Sequence, residues 1–213
     1  MAVNRTRKSA EERKAEIVDA AIRLAADIGP DRLTTERLAQ EVGISQPGIF
    51  RHFPTKADIW KAVAQRIGQL FQSNASSADH GEGHPQDRLS KMVGDHLDFI
   101  RKTPAVPAIL FSRELHAEND DLRAFFAGMM TKRQQKFSEQ ISNCISLGAF
   151  DPDLDINDAA SLVLALIQGL AMRWSLNTRS FDLVEEGNRL FEIQLAGFQT
   201  NAPAPHQTGA ELF

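Results

Sequence analysis

The sequence predicts an all-helical fold in which a small N-terminal helical domain precedes a larger helical domain, about nine helices in total. Apolar residues recur at spacings of three and four along most of the chain. No stretch shows the strict alternation of a β-strand, and Gly, Pro and Asn residues fall between the periodic segments. With 213 residues, of which 42% are apolar, the chain is long enough to bury a sizeable core.

The first helix is predicted to begin at Ser9. Ser9 and Glu12 form a capping box, in which each side chain binds the other residue's free backbone amide. The pattern ends at Gly29 and Pro30, after one apolar face made by Ile17, Ala21, Leu24, Ala25 and Ile28.

Two short helices are predicted to follow. Thr34 or Thr35 can cap the first of them, which ends at Gly43, and Ser45 can cap the second. Pro47 fits the first turn of this second helix, and Pro54 ends it. Two short helices joined by a tight turn containing Gly, with a longer helix behind them, predict a helix-turn-helix unit.

A fourth helix starts at Thr55 and leads into a polar, Gly-containing linker. Beyond the linker, periodicity predicts helices near residues 86–102, 105–117, 120–148, 157–177 and 182–198. We therefore predict a flexible basic arm (1–9), a helix-turn-helix domain with its connecting helix (10–71), a linker (72–85), a larger helical domain (86–199) and a disordered tail (200–213).

Charge is distributed unevenly. Residues 1–66 carry 12 Lys and Arg against 9 Asp and Glu, a formal charge of +3, whereas the remainder carries −7. Only the N-terminal part has the right sign to approach phosphate. We find no secretory signal and expect no apolar run of the roughly 18 to 20 residues that spans a bilayer, so we expect a cytoplasmic protein without membrane contact.

The sequence offers little for catalysis, and we expect no enzyme activity, cofactor or metal site. It contains no Gly-rich phosphate loop, no nucleophile elbow and no pair of His or Glu residues with metal-ligand spacing. Cys144 is the single cysteine, which excludes an intrachain disulfide and a Cys-based zinc cluster. A packed thiol is the favoured interpretation of Cys144, and a redox sensor is the alternative.

The stretch from Leu33 to Lys56, with its Leu-Thr-Thr opening, Gly-Ile-Ser turn and aromatic-x-His-Phe block, resembles the DNA-binding domain of the TetR family of bacterial repressors. The resemblance extends from about Ile17 to Val63, and the later helices match in layout only. It implies a homodimeric repressor that a small-molecule effector releases from a palindromic operator on double-stranded DNA. The alternative is an architectural or protein-partner-regulated DNA-binding factor without such an inducer.

The resemblance places the DNA contacts on the second short helix, whose N-terminal turn would enter the major groove. Gln46 is the best candidate for reading a base, because its amide can pair bidentately with adenine. Pro47 and Gly48 would allow close approach, and Arg51 could contact either a base or the backbone. The full set of expected contacts is Thr34, Thr35, Ser45, Gln46, Pro47, Gly48, Phe50, Arg51, His52 and Lys56, of which Thr34, Thr35, His52 and Lys56 suit phosphates.

Two positions depart from the family. Phe50 replaces the usual Tyr and loses a hydroxyl expected to touch a phosphate. Glu36 stands where a member of the family has a basic residue that reads a base, so its carboxylate could accept from cytosine or point away. The arm residues Arg5, Arg7 and Lys8 are consistent with a minor-groove contact and equally with a solvated tail.

The C-terminal part is expected to hold a partner and a ligand. The segment 157–174 is apolar nearly all round, which predicts that one face meets a second subunit, with the last helix completing a four-helix interface. The resemblance implies an effector pocket, for which an ordinary core is the alternative. Its candidate residues are His96, Phe99, Arg113, His116, Phe126, Met130 and Trp174.

Overall fold

A computed structural model describes residues 8–75 and 84–199. The predicted arm residues Arg5 and Arg7, most of the predicted linker and the predicted disordered tail lie outside these described residues. Within them the structure contains ten helices and no strand, so the predicted all-helical fold is confirmed.

The helices follow one another with short connections. In chain order they are α1 (Ala10–Ile28), α2 (Thr35–Val42), α3 (Gln46–His52), α4 (Lys56–Ala75), α5 (Pro85–Lys102), α6 (Ala105–Leu110), α7 (Arg113–Glu118), α8 (Asp120–Ser146), α9 (Ile156–Leu176) and α10 (Leu183–Ala196). A short 3₁₀ turn, Pro30–Arg32, links α1 to α2.

The structure has one helix more than the sequence predicted, because the expected helix over 105–117 is two helices. Phe111 and Ser112 separate α6 from α7, and the Ser112 hydroxyl caps α7 by accepting from the Leu115 amide at 3.1 Å. The same hydroxyl donates to Asp31 at 2.5 Å. Ser112 therefore satisfies a buried backbone amide in the first turn of α7 and also joins α7 to the 3₁₀ turn.

The N-terminal helices pack around α1, which contacts α2, α3 and α4. Ile17, Ala21 and Ala25 from the predicted apolar face of α1 are fully buried, and Leu38 of α2 and Ile49 of α3 belong to the same buried core. This packing fixes α2 and α3 against a common support, so their opposite faces remain at the surface.

The C-terminal helices build the larger part of the core. α8 packs on α9, α10 packs on both α5 and α9, and α4 contacts α5 and α8. The connecting helix α4 therefore belongs to both parts of the molecule. Its first turn follows directly after α3, and its later turns lie against the C-terminal bundle.

Further contacts join the two parts near the end of α1. α1 packs on α6, and the Arg179 guanidinium, from the turn between α9 and α10, donates to the Ala26 carbonyl at 2.5 Å. A cation at the C-terminal end of a helix is favourably placed relative to the helix dipole. The turn before α10 is thus tied to the helix that supports α3.

One sequence expectation is corrected in α9. Among the described residues, this helix alone is long and apolar enough by composition to cross a membrane, although no such run was expected. Polar residues such as Ser161 and Gln168 interrupt the stretch, but its mean hydropathy remains as high as that of a membrane-spanning helix. In the most apolar 18-residue segment of α9, 44% is buried inside this chain. Such partial burial is typical of a core helix with one uncovered face.

Candidate nucleic-acid interface and an adjoining groove

Local interactions at three residues set the geometry of the helix-turn-helix. The Thr34 hydroxyl begins α2 by accepting from the Arg37 amide at 3.2 Å. Gly43 ends α2 in the left-handed conformation at φ 72°, which favours a residue without a Cβ. The Ser45 hydroxyl then begins α3 by accepting from the Gly48 amide at 3.3 Å. These caps turn the chain sharply between the two helices.

The candidate DNA-contacting residues all remain accessible. Ile49 and Phe53 bury the inner side of α3, and none of the ten candidates is buried. Six are exposed, namely Thr34, Ser45, Pro47, Phe50, Arg51 and Lys56, and four are half-buried, namely Thr35, Gln46, Gly48 and His52. The predicted set therefore lies on the uncovered side of α2, α3 and the start of α4.

Gln46 is bound to the neighbouring helix. Its amide nitrogen Nε2 donates to the Thr35 hydroxyl at 2.8 Å and to the Glu36 carboxylate. Hydrogen bonds from Glu36's own backbone amide and from the Thr34 hydroxyl lower the pKa of Glu36 below its ordinary value. The nitrogen that a bidentate contact with adenine needs is thus engaged inside the protein.

Two further side chains define the surface of α3. A Cβ built on Gly48 would meet the Ser45 hydroxyl at 3.4 Å and Ile44 at 3.5 Å, which are ordinary contacts. The fold therefore does not require glycine at this position. Phe50 exposes 40% of its surface, which places an apolar ring on the outer face where the family usually has a hydroxyl.

A groove of about 370 Å³ lies between α4 and α8. It has an apolar floor and a basic rim, and among the described residues no Asp or Glu lines it. The lining side chains that matter are Phe71 from α4 and Phe125, Met129, Lys132, Arg133 and Lys136 from α8. Lys136 also pairs with Glu139 at 2.9 Å, outside the lining.

Aromatic and charged groups are buried beneath this groove. The Phe71 ring contacts the rings of His96 and Phe99 edge to face, with centroids 5.0 and 5.1 Å apart. The Arg133 guanidinium lies 5.5 Å from the Phe71 ring and donates to the Met92 carbonyl at 2.6 Å. Burial, with a smaller contribution from the Arg133 charge, holds the pKa of His96 well below its usual range. His96 is therefore neutral at pH 7.

A second cavity, of about 670 Å³, lies on the other side of Phe125, where α4 passes the α7–α8 junction. Its charged lining is mainly acidic and consists of Asp58, Glu118, Asp120 and Asp121 together with Lys61. The two ends of the α4–α8 contact therefore have opposite charge, and Phe125 lines both cavities.

The predicted pocket residues do not form one chamber. His96 and Met130 line a cavity of only about 20 Å³ among α5, α6, α8 and α9, while Phe99 packs on Phe71 beside it. His116 contacts Phe126 with centroids 6.0 Å apart. Arg113 is instead exposed at the start of α7, because Ser112 occupies the buried position, and Trp174 donates to the Phe181 carbonyl under the turn before α10.

The basic groove residues Lys132 and Lys136 on α8 were missed, although the sequence contained a signal. Phe125, Met129, Lys132 and Lys136 follow one another at spacings of four, three and four, which places them on one face of a helix. The stripe changes from apolar to basic along this face of α8. Phe71 lies on α4, and only the packing of α4 against α8 shows that it lines a groove.

Cys144 is fully buried, and burial raises the pKa of its thiol to about 11. A thiolate is therefore scarce at neutral pH, and the packed-thiol interpretation is favoured over a redox sensor.

An apolar stripe runs along the exposed side of α9. Leu162, Ala165, Gly169, Met172 and Leu176 are all exposed and follow one another at spacings of three and four. Leu162 and Leu176 expose 55% and 75% of their surface, and Ile193 on neighbouring α10 exposes 65%. The other large apolar residues Leu183, Phe191 and Leu195 of α10, and Phe198 just after it, are buried within the chain.

The capped helix-turn-helix with its accessible outer face defines the class of a DNA-binding regulator. A family model described as bacterial regulatory proteins of the tetR family matches residues 17–63. A second one, for the C-terminal part of BetI-type transcriptional repressors, matches residues 85–197. The chain therefore belongs to the TetR family of DNA-binding transcriptional regulators.

Known proteins agree with this assignment. The nucleoid occlusion factor SlmA of Haemophilus influenzae is 28% identical over 171 residues, which cover 79% of this chain and 78% of that protein. A TetR transcription regulator from Haloarcula marismortui has the same fold, with a TM-score of 0.76 and 19% identity over 89% of this chain and 100% of that one. A transcriptional regulator from Saccharomonospora viridis, in complex with choline, has a TM-score of 0.75 and 23% identity. The match covers 87% of this chain and 96% of that one.

Proposed function

We propose that this protein is a homodimeric repressor that reads a palindromic operator with α3 and is released from it by a small-molecule effector. It acts in the cytoplasm by binding and not by catalysis. The observation that carries the proposal is the outer face of α3, where Gln46, Pro47 and Gly48 lie in the accessible first turn. The N-terminal turn of such a helix is the part that reaches base edges in the major groove.

The roles of the other residues follow from their chemistry. Thr34, Arg51, His52 and Lys56 suit the flanking phosphates, since hydroxyls and cations hold a protein in register without reading sequence. Phe50 would make an apolar contact with a thymine methyl or a sugar, because its ring offers no hydrogen bond.

The stripe on α9, with Ile193 on α10, is proposed as the dimer interface. A monomer in water would leave this contiguous apolar face uncovered, whereas a two-fold partner buries the same face on both subunits. Dimerisation also suits operator binding, since two recognition helices about 34 Å apart read half-sites one helical turn apart.

The effector is proposed to bind in the groove between α4 and α8 and to be an amphipathic anion. The groove volume of about 370 Å³ lies within the range of small-molecule sites, whereas the cavity beside His96 holds no more than a water molecule. Phe71, Phe125 and Met129 would bury an apolar tail, and the basic rim would bind an acidic head group.

Release of the protein from operator DNA would follow from the position of α4. A Cβ on Gly68 would approach Phe125 to 3.0 Å, so α4 and α8 are already close beside the groove. A ligand that widens this contact moves α4, and α3 with it, and so favours a spacing of the recognition helices that does not match DNA.

The first experiment measures binding of fluorescent promoter fragments by anisotropy at two salt concentrations. Gln46→Ala should relax sequence preference, whereas Lys56→Ala should weaken all sequences alike and reduce the salt dependence. Lys91→Ala, a change of the same charge on α5, is the control and should leave binding unchanged. If wild type binds no fragment better than random DNA, the repressor proposal fails.

The effector proposal is tested by titrating dodecanoate into the protein–operator complex, with dodecyltrimethylammonium as the cationic control. Dodecanoate should release the DNA and the cation should not, and Lys132→Glu should abolish release. Release by both detergents alike, or release that persists in Lys132→Glu, would contradict a specific anion site.

The alternative of a partner-regulated or architectural factor is favoured by one comparison, the similarity to a protein named as a nucleoid occlusion factor. It would bind DNA at many chromosomal sites and need no inducer. Chromatin immunoprecipitation distinguishes the two: one or a few sites beside promoters support the repressor, and many dispersed sites away from promoters support the alternative.

A further inference from the structure

We propose that Glu36 sets the base preference of Gln46 by holding its amide nitrogen, so that Gln46 presents only its carbonyl oxygen and selects a base with an exocyclic amine. This inference rests on the proposed role of α3 in reading the operator. It makes Glu36 a positioning residue for specificity, although Glu36 lies on α2 and outside the predicted contact set.

The contacts orient the Gln46 amide. A carboxylate accepts hydrogen bonds and cannot donate them, so the group that meets Glu36 must be the amide nitrogen and not the carbonyl oxygen. The same nitrogen donates to the Thr35 hydroxyl at 2.8 Å. Its two hydrogens are thereby both used, and the carbonyl oxygen Oε1 is left as the group that can bind an operator base.

Glu36 is well suited to this task. It is exposed, and its carboxylate is held in the ionised form by the hydrogen bonds at the start of α2. A hydrogen bond to an ionised acceptor is roughly twice as strong as one between neutral groups. The orientation of Gln46 is therefore set before DNA arrives.

An acceptor discriminates among bases in the major groove. Adenine N6 and cytosine N4 are donors there, whereas guanine presents N7 and O6 and thymine presents O4, all acceptors. The usual bidentate pairing of Gln with adenine would also require the amide nitrogen to donate to N7. That nitrogen is engaged by Glu36 and Thr35, so we expect a single bond to an exocyclic amine and no contact with N7.

The experiment uses the full-length dimer and a preferred half-site selected from random DNA. Gln46→Ala identifies the position that Gln46 reads. Base analogues are then placed there: 7-deazaadenine removes N7, and purine or pyrimidin-2-one lacks the exocyclic amine of adenine or cytosine. Loss of the amine should weaken binding about three- to tenfold, the effect of one neutral hydrogen bond. Loss of N7 should leave binding within about twofold.

Glu36→Ala frees the amide of Gln46 and should change this pattern. The variant should tolerate guanine or thymine at the same position, or gain dependence on N7. Glu41→Ala is the matched control, because it removes an exposed carboxylate from the same helix, where Glu41 pairs with Arg23 at 3.4 Å. It should keep the wild-type preference.

Several results would overturn the inference while leaving the proposed repressor intact. They are a wild-type preference for guanine or thymine at the Gln46 position, equal losses for the N7 and amine deletions, or an unchanged preference in Glu36→Ala. If no sequence is selected from random DNA at all, the proposed function itself fails.

Discussion

The fold of the chain does not explain why position 48 is a glycine. The position lies in the first turn of α3, its φ is not positive, and a Cβ would make only ordinary contacts with Ser45 and Ile44. Glycine in a helix interior costs about 0.5–1 kcal/mol relative to alanine. The fold does not need glycine at this position, and the proposed DNA contact of α3 supplies a reason for it.

Gly48→Ala should therefore separate stability from function. We expect the free energy of unfolding to stay the same or rise by up to about 1 kcal/mol, because alanine is the better helix former. Operator affinity should fall about tenfold, since the added methyl group occupies the space of a base or sugar. Urea denaturation and anisotropy measure the two quantities. Unchanged DNA binding would exclude a close backbone contact at Gly48.

His96 makes stability depend on pH. Its pKa is lowered in the folded protein by burial, so below pH of about 6.5 the unfolded chain takes up a proton that the folded chain does not. Stability should therefore be lost as pH falls through this range, by up to about 1.4 kcal/mol per pH unit. At higher pH the residue contributes no pH dependence.

His96→Gln should reduce this loss. The variant removes the titrating ring, so the difference in unfolding free energy between pH 7.5 and pH 5.5 should become smaller than in wild type. Urea denaturation at the two pH values, with the wild-type protein beside it, measures the difference. An equal loss in both proteins would show that His96 is not responsible.

At the scale of elements, the contact between α5 and α10 depends on a small residue. Gly187 lies where the two helices cross, and a Cβ there would come within 2.1 Å of a Leu97 methyl group. Such an overlap forces side chains out of their rotamers or the helices apart. The absence of a side chain at Gly187 therefore lets Leu97 pack directly against the backbone of α10.

Gly187→Ala should destabilise the protein by about 1–3 kcal/mol even though alanine favours helix. Gly128→Ala is the matched control, because nothing lies within 4 Å of a Cβ at that position on α8. It should leave stability unchanged or raise it by up to about 1 kcal/mol. Thermal unfolding of both variants measures the contrast, and equal effects would contradict the tight crossing.

At the scale of the whole molecule, the uncovered face of α9 explains a helix that is more apolar than one chain can bury. Its stripe ends at Leu176, just before the turn from which Arg179 binds the end of α1. A dimer built on this face would thus connect, through that turn, to the helix that supports α3. The spacing of the two recognition helices would depend on the geometry of the interface.

Leu162→Asp combined with Leu176→Asp should convert the dimer to monomers, because both charges would be buried without partners at the interface. Leu147→Asp is the control, since Leu147 is 66% exposed and lies beyond the end of α8, off the stripe. Sedimentation velocity measures the mass, and operator binding should weaken together with dimerisation. A double variant that remains dimeric would place the interface elsewhere.

The sequence by itself determined the local structure of this protein. Ser9, Thr34, Gly43 and Ser45 cap or end helices through bonds to residues within a few positions along the chain, so their effect could be predicted without knowledge of the fold. The helical periodicity and the helix-turn-helix spacing are local in the same sense. They were sufficient to predict the fold class, whereas the candidate DNA contacts on α3 came from the resemblance to the TetR family.

The tertiary structure alone decided what depends on contacts between distant segments. The bond of Ser112 to Asp31 joins residues 81 positions apart, and Phe71 lines a groove because α4 meets α8. Even the orientation of Gln46 depends on a bond across 10 residues to the preceding helix. Periodicity shows which face of a helix is apolar but not which neighbour covers it, so the groove, the position of Arg113 and the proposed role of Glu36 required the folded chain.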